Sequence, residues 1–262
     1  MEIEQQIVHR AAECGGTVSV AVRNIADAGS ISINDDLVVS SASIIKVPML
    51  VEAMRQVRDG ELSFEQEFTL ADGDRVRGSG VMRYLHTGTR LTLKDLLWLM
   101  IVVSDNTATN ILIDVLGIDK VNSTMRAMGF EKTTLRRKMY DWEAIEKGLD
   151  NVCCAGEIAD LLVRMANKQA AGDEWDEIAL DMLAHQQETS RLGLFLPEEA
   201  KLANKTGSRE GIYHDCGIVT TDSFRYSIAV FTKDARSSGE AHMAIAHISK
   251  AVYDYFASRA LR

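Results

Sequence analysis

Along the first quarter of the chain the apolar positions change period twice. Ile3, Ile7 and Val8 stand between charged residues over 1–14, the spacing of an amphipathic helix. Over 17–22 valine alternates with small or polar residues, and Ile31 and Ile33 alternate beyond Asp27-Ala28-Gly29, so these segments read as antiparallel strands of one hairpin. Val47, Leu50, Val51, Met54 and Val57 then form a single helical stripe that stops at Asp59-Gly60. That helix begins at Ser43-Ile44-Ile45-Lys46, and Pro48 so near its start predicts an irregular or tight first turn.

From 62 to 196 the segments are mostly helical. The stretch 93–103 is apolar almost all round, which predicts a helix buried on every side that delivers Ser104 at its end. Further helices are expected over 107–116, 120–128, 156–167 and 175–185. Strand signals return at 201–205, 217–221 and 226–232, and Ile245, Ile248, Val252, Tyr255 and Phe256 mark a last amphipathic helix. Strands at both ends with helices between them predict an α/β (α+β) fold, with one antiparallel sheet assembled from the two termini. The expected division is a sheet subdomain of 1–60 and 197–262 with an all-α subdomain, 61–196, inserted into it. The active site should lie at the seam.

With 262 residues, 46% of them hydrophobic, the chain can fill one large domain or two intimate subdomains. Its formal charge of −9 argues against a nucleic-acid partner, because phosphate binding needs clustered Lys and Arg. The basic run Arg136-Arg137-Lys138 reads as a solvated loop face. The longest apolar run, 96–103, is far below the ~18 residues needed to cross a bilayer, so no membrane partner is expected. As written, the N-terminus lacks the basic stretch and unbroken apolar segment of a signal peptide. The expectation is cytoplasmic, or periplasmic or secreted if the start has been trimmed. Cys14, Cys153, Cys154 and Cys216 contain no Cys-x-x-Cys pair and read as buried free thiols in a reducing compartment. The histidines form no helical ligand pair, so neither a metal nor another cofactor is expected. The reading is a monomer acting on a small molecule.

Three short motifs carry the chemistry: Ser43-x-x-Lys46, Ser104-Asp105-Asn106 and Lys205-Thr206-Gly207. One turn apart on a helix start, Ser43 and Lys46 share a face, close enough for the amine to exchange a proton with the hydroxyl. Free backbone N–H groups at that helix end favour developing negative charge. A second hydroxyl and an amide, from Ser104 and Asn106, supply a proton path to a leaving amine and a donor for a substrate carbonyl. Lys205-Thr206-Gly207 continues a strand candidate whose glycine can admit an extended substrate. Singly, each motif has a plainer reading: an N-cap serine with a solvated lysine, a helix cap, a surface lysine beside a turn glycine. Their order and spacing favour an acylating serine site.

The trio resembles the signature of class A β-lactamases and penicillin-binding proteins, and the resemblance extends over nearly the whole chain. It implies the β-lactamase/transpeptidase architecture, with an antiparallel sheet flanked by the terminal helices beside an all-α lobe. It also implies a nucleophile in Ser43, with Lys46 assisting proton removal and Ser104 protonating the departing nitrogen. Asn106 would bind the substrate's amide side chain, and Asp105 would orient the loop. Lys205 would set the electrostatics around Ser104, Thr206 would bind a substrate carboxylate, and Ser208 would share an oxyanion hole with Ser43. His214 falls where many class A members place a carboxylate-holding arginine; its other reading is a strand histidine bonded to Asp215 or to backbone.

In one segment the chain departs from that family. Class A members carry a glutamate in an omega-shaped loop and an asparagine four residues later, and no such pair occurs here. Counted from Glu143, Lys147 stands where the asparagine would be. Trp142-Glu143 is similar to the family's tryptophan-glutamate pair, which makes Glu143 the first candidate for a water-activating base and Asp141 the second. The leading expectation is a serine hydrolase of class A β-lactamase type. The alternatives are a D-alanyl peptidase, esterase or amidase with the same acylation step, and a penicillin-binding or sensor module acylated without turnover.

Overall fold

The computed structural model describes residues 2–27 and 29–260. Helix α1 (Ile3–Ala11) leads through a short 3₁₀ turn into β1 (Thr17–Asn24) and β2 (Ser30–Ile33), the expected hairpin, paired Val20 with Ile33 and Val22 with Ile31. Within its turn Ala28 lies outside the described residues, and the Gly29 N–H donates to Asp27 Oδ1 at 2.7 Å. The two-residue strand β3 (Val39–Ser40) precedes a 3₁₀ segment, Ala42–Ile45, and helix α2 (Lys46–Arg58). The tight first turn anticipated from Pro48 is therefore real, and it places Ser43 in 3₁₀ geometry.

Next come β4 (Glu67–Thr69), β5 (Arg90–Thr92), α3 (Leu93–Val102), α4 (Asn106–Leu116), α5 (Ile118–Ala127), α6 (Trp142–Glu146), β6 (Val152–Cys153), α7 (Ala155–Ala166) and α8 (Asp173–Ala184). The chain closes with β7 (Lys201–Arg209), β8 (Ile212–Thr220), β9 (Arg225–Lys233) and α9 (Ser238–Ala260). The main sheet is antiparallel with order β2-β1-β9-β8-β7, so both termini build it. Small two-stranded pairs, β3 with β6 and β4 with β5, were not expected from the sequence, because two or three residues are too few to show a period.

Alternation in the central strands explains the layering. Val18, Val20 and Val22 of β1 and Tyr226, Ile228 and Val230 of β9 face the terminal helices, where they join Ile7, Ile245, Ile248 and Val252. The opposite face carries small residues, among them Ala21, Ser227 and Ala229, and α7 packs there; Ser227 Oγ donates to the Ala159 carbonyl at 3.0 Å. Packing thus cuts the chain differently from the expected division at 61–196. Helix α7, from the middle segment, lies on the sheet, and α2, from the first segment, lies among α3, α4, α5 and α8. Burial of α2 extends beyond the predicted stripe. Met49, Leu50, Val51 and Met54 are fully buried, each worth roughly 1.5–3 kcal/mol. Glu52 and Gln56 are buried too, bonded to each other and to Thr124 and the Leu116 carbonyl. Helix α3, expected to be buried all round, leaves Lys94 and Asp95 exposed. Among the described residues no helix is long and apolar enough to cross a membrane. All four cysteines are buried and unpaired.

The junction from α3 to α4 is held by one carboxylate. Asp105 accepts the Ala108 N–H at 3.0 Å as an N-cap, and its other oxygen accepts the N–H groups of Val81 and Met82 at 2.7 Å each. Gly80 makes that approach possible, since a Cβ there would fall 2.2 Å from Asp105 Oδ2. Asp105→Ala would leave three backbone donors, those of Met82 and Ala108 buried, without partners, and we expect it to lower unfolding free energy by roughly 2–4 kcal/mol. A parent-like midpoint in urea denaturation would contradict this account of the junction.

Candidate active site

Ser43 leaves the 3₁₀ segment at the mouth of two clefts, each lined by it, Ser79 and Ser208. Strand β7 passes close behind this turn. A Cβ at Gly207 would meet Ala42, Ile44 and the Ser41 carbonyl at 3.2 Å each, so glycine sets the spacing between strand and the Ser43 turn. Ala42, preceding the nucleophile, has φ 44°, and Ser104 has φ 55°. Left-handed backbone in residues with a Cβ costs on the order of 1–3 kcal/mol each, which the surrounding bonds must hold.

The three motifs meet at the Ser104 hydroxyl. Lys46 Nζ donates to Ser104 Oγ at 3.0 Å, to the Ser104 carbonyl at 2.8 Å and to Asn106 Oδ1 at 3.1 Å. From the opposite side Lys205 Nζ donates to the same Ser104 Oγ at 3.1 Å and to the Thr206 carbonyl at 2.9 Å. Both lysines are fully buried. Two ammonium groups sharing one oxygen lie about 6 Å apart at most, where full charge on both is worth about 3 kcal/mol of repulsion at an effective dielectric of about 20. Burial first, then the charge of Lys205, hold Lys46 well below the usual lysine range. Burial lowers Lys205 to about 8, with Cys216 and Asp215 opposing. Among the described residues the Lys46 hydrogen bonds go to Ser104 and Asn106 and none to Ser43, so proton exchange with Ser43 would need a small approach of the two groups. Asn106 also donates to the Arg77 carbonyl at 3.1 Å, fixing its amide across the cleft.

One buried cation on the cleft wall carries no motif. Arg191, in the segment between α8 and β7, is 3% exposed and lines the first cleft with Thr206 and Ser208. Its guanidinium donates to the carbonyls of Gly207 and His214 and to Ser208 Oγ, while its Nε has no partner among the described residues. Only proximity in the fold reveals it. Of its two readings, His214 has the backbone bonds of the second. The ring is fully buried, Nδ1 accepts the Thr232 N–H at 3.2 Å, and Nε2 lies 2.8 Å from the Ser40 carbonyl, which assigns the ring proton to Nε2. Burial lowers its pKa to about 4, so it stays neutral where Arg191 is charged. Asp215, also buried, accepts from Asn204 at 2.9 Å and from the Leu192 N–H at 3.1 Å, and burial pushes it up to about 7.

The loop candidates are placed apart from Ser43. Glu143 points to solvent, its side chain 77% exposed and paired with Lys147 at 2.6 Å. Asp141 caps α6 by accepting the Ala144 N–H at 3.0 Å. Neither lines a cleft beside Ser43; the loop side of that wall is Met139, Tyr140, Trp142 and Ile145. Asn110, which the motifs did not single out, fixes Met139 there, accepting its N–H at 2.7 Å and donating to its carbonyl at 3.1 Å. The loop neck is locked by Asp150, which accepts from Arg137 at 2.6 and 3.0 Å and from Arg209 at 3.0 Å. Arg137, read from the sequence as part of a solvated run, is 9% exposed, because this ion pair draws it inward.

Comparison with known proteins agrees with this arrangement. A family profile described as the beta-lactamase enzyme family matches residues 2–256. The β-lactamase VEB-1 of Pseudomonas aeruginosa is 23% identical over 257 residues, covering 92% of this chain and 86% of that protein. The crystal structure of a β-lactamase from Sphaerobacter thermophilus superimposes with a TM-score of 0.92 at 32% identity, over 98% of this chain and 97% of that one. PBP-A, also solved in variant form as an acyl-enzyme complex with penicillin-G, has a TM-score of 0.90 at 24% identity, over 98% and 96% of the two chains, a likeness of fold. A match over nearly the full length, joined to three motifs that the fold gathers around one hydroxyl, makes this chain a member of the beta-lactamase enzyme family, within the serine hydrolases shared by β-lactamases and transpeptidases.

Proposed function

We propose that Ser43 is acylated by β-lactams and related acyl donors, and that the acyl-enzyme is long-lived. On losing a proton, and with it one of its three donated bonds, Lys46 takes the Ser43 proton as the hydroxyl attacks the carbonyl, and Ser104, within bonding distance of both lysines, passes a proton to the departing nitrogen. Lys205 remains charged and holds the potential positive around Ser104. Thr206, Ser208 and Arg191 receive the donor's carboxylate, Asn106 its amide, and the N–H groups of Ser43 and Ser208 the oxyanion. The observation that carries the slow second step is the loop wall, where Met139 stands beside Ser43 and Glu143 is turned away. Activating water needs a base within hydrogen-bond reach of it, and the loop supplies none.

Likeness to the Sphaerobacter β-lactamase favours a second reading, steady hydrolysis of the lactam. It requires a base from outside the loop, and Glu188, on the wall of the Arg191 cleft, is the carboxylate available there. The lifetime of the adduct separates the two.

Intact-protein mass spectrometry after mixing with benzylpenicillin should show a one-to-one adduct that persists for many minutes, and Ser43→Ala should form none. An adduct of undiminished yield on Ser43→Ala would remove Ser43 from the mechanism, and loss of the parent's adduct within seconds would favour the hydrolysis reading. Met139→Glu, which puts a carboxylate on the wall facing Ser43, should shorten the adduct lifetime by about tenfold or more while acylation continues, since proton transfer by a placed base contributes roughly 10²–10⁴-fold. An unchanged lifetime in a folded Met139→Glu protein would mean that this wall does not face the attacking water. The pH dependence follows from the lysines. Acylation should rise with pH as Lys46 loses its proton, then fall as pH passes about 8 and Lys205 loses its charge. A second-order rate that climbs without a maximum up to about pH 10 would deny Lys205 a charged role.

A further inference from the structure

Another cavity, of about 330 Å³, lies near the β2 edge of the main sheet, opposite β7, and shares no lining residue with the two clefts beside Ser43. Three parts of the fold enclose it: the β1–β2 hairpin, the turn from β8 to β9 and the end of α9. Its lining is graded by burial. Val22 and Ile31 are buried and Phe224, Tyr255 and Phe256 half-buried, whereas the lining residues that reach solvent are small, polar or charged. Phe224 stacks on Phe256 with ring centroids 5.8 Å apart, and Tyr255 meets Phe256 edge to face at 5.5 Å.

Two charges stand at the rim, one of each sign. Asp27, in the hairpin turn, accepts the Gly29 N–H at 2.7 Å, and the Arg259 guanidinium, on α9, lies 4.3 Å from the centre of the Tyr255 ring. Neither has an ion-pair partner among the described residues, although charges close to them in sequence do: Arg23 pairs with Asp35 and Asp160, and Lys250 with Asp254. Set on different walls, the two do not pair with each other.

We propose that this cavity binds a small zwitterion carrying one aromatic ring, of the chemical class of the aromatic α-amino acids, with its ring against Phe224, Tyr255 and Phe256, its ammonium toward Asp27 and its carboxylate toward Arg259. A pocket of this size suits a single ring, and a lining with one carboxylate and one guanidinium suits a ligand of no net charge. The inference stands apart from the chemistry of Ser43. Removing the ligand's ring should weaken binding about tenfold or more, and removing either of its charges about twofold to fivefold, because the rim charges are exposed to solvent.

The test titrates the isotope-labelled full chain with free L-phenylalanine, L-alanine, phenethylamine and hydrocinnamate while backbone amide shifts are followed by NMR. L-phenylalanine should produce saturable shifts at Gly29, Phe224 and Phe256, binding about tenfold or more tighter than L-alanine and about twofold to fivefold tighter than the other two. Arg259→Gln should weaken L-phenylalanine and hydrocinnamate but spare phenethylamine, and Asp27→Asn should weaken L-phenylalanine and phenethylamine but spare hydrocinnamate. Both side chains are exposed, so both variants keep the fold, and a general loosening of the pocket does not produce this crossed pattern. Absence of saturable shifts at millimolar ligand, shifts confined to the clefts beside Ser43, equal affinity for L-alanine, or substitutions that weaken all three aromatic ligands alike would each overturn the proposal.

Discussion

Two buried amines compete for one hydroxyl, and the rest of the molecule is arranged around that contact. Ser104 has one proton, Lys46 and Lys205 are both within 3.1 Å of its oxygen, and neither lysine can reach solvent. Burial alone would neutralise an isolated ammonium. Here the two burdens are unequal. Lys205 has Asp215 and Cys216 on its strand side to favour charge, whereas Lys46 has the Lys205 charge against it and Asp105 as its opposing influence. The outcome is two amines with unequal hold on their protons, both within hydrogen-bond reach of the Ser104 hydroxyl. Helix α2, the α3–α4 junction and strand β7 each supply one of the three groups, so the seam must be positioned to a few tenths of an ångström.

That positioning explains why strained backbone gathers at the same place. Ala42, Ser104 and Tyr140 all have left-handed φ values, and all three border the clefts or carry a residue that does. Each would relax in isolation. Ser104 is held by Lys46 on one side and by the Asp105 carboxylate, with its three backbone donors, on the other. The Ala42 turn is pinned between β7 at Gly207 and the Ser41 N–H bond to the Asn151 carbonyl. The strain is local, and the packing of α2 is what makes it tolerable.

Much of this was legible in the sequence, for reasons that differ by element. The alternation of β1 and β2 and the 3.6-residue stripe of α2 are periodic signals, and both correspond to elements found. The Ser-x-x-Lys, Ser-Asp-Asn and Lys-Thr-Gly motifs are local in sequence and were readable for that reason. Arg191 was not, because a lone arginine between a helix and a strand has no local mark and gains its place only through the Gly207 and His214 carbonyls. Between the two readings of His214 the sequence could not choose, because counting along a strand fixes the face a residue occupies but not what covers that face. Glu143 misled because a short helix, α6, turns it outward, and five residues carry too little periodicity to predict which way.

The proposed mechanism separates acylation and release on one scaffold. In it acylation draws on α2, α4 and β7, which belong to the core. Water activation would draw on whatever side chain the loop holds beside Ser43, and here Asn110 fixes Met139 through two backbone bonds. The two steps therefore depend on different residues and can change independently. They are not mechanically independent, because Arg209, two residues beyond Gly207 on β7, reaches Asp150 at the loop neck.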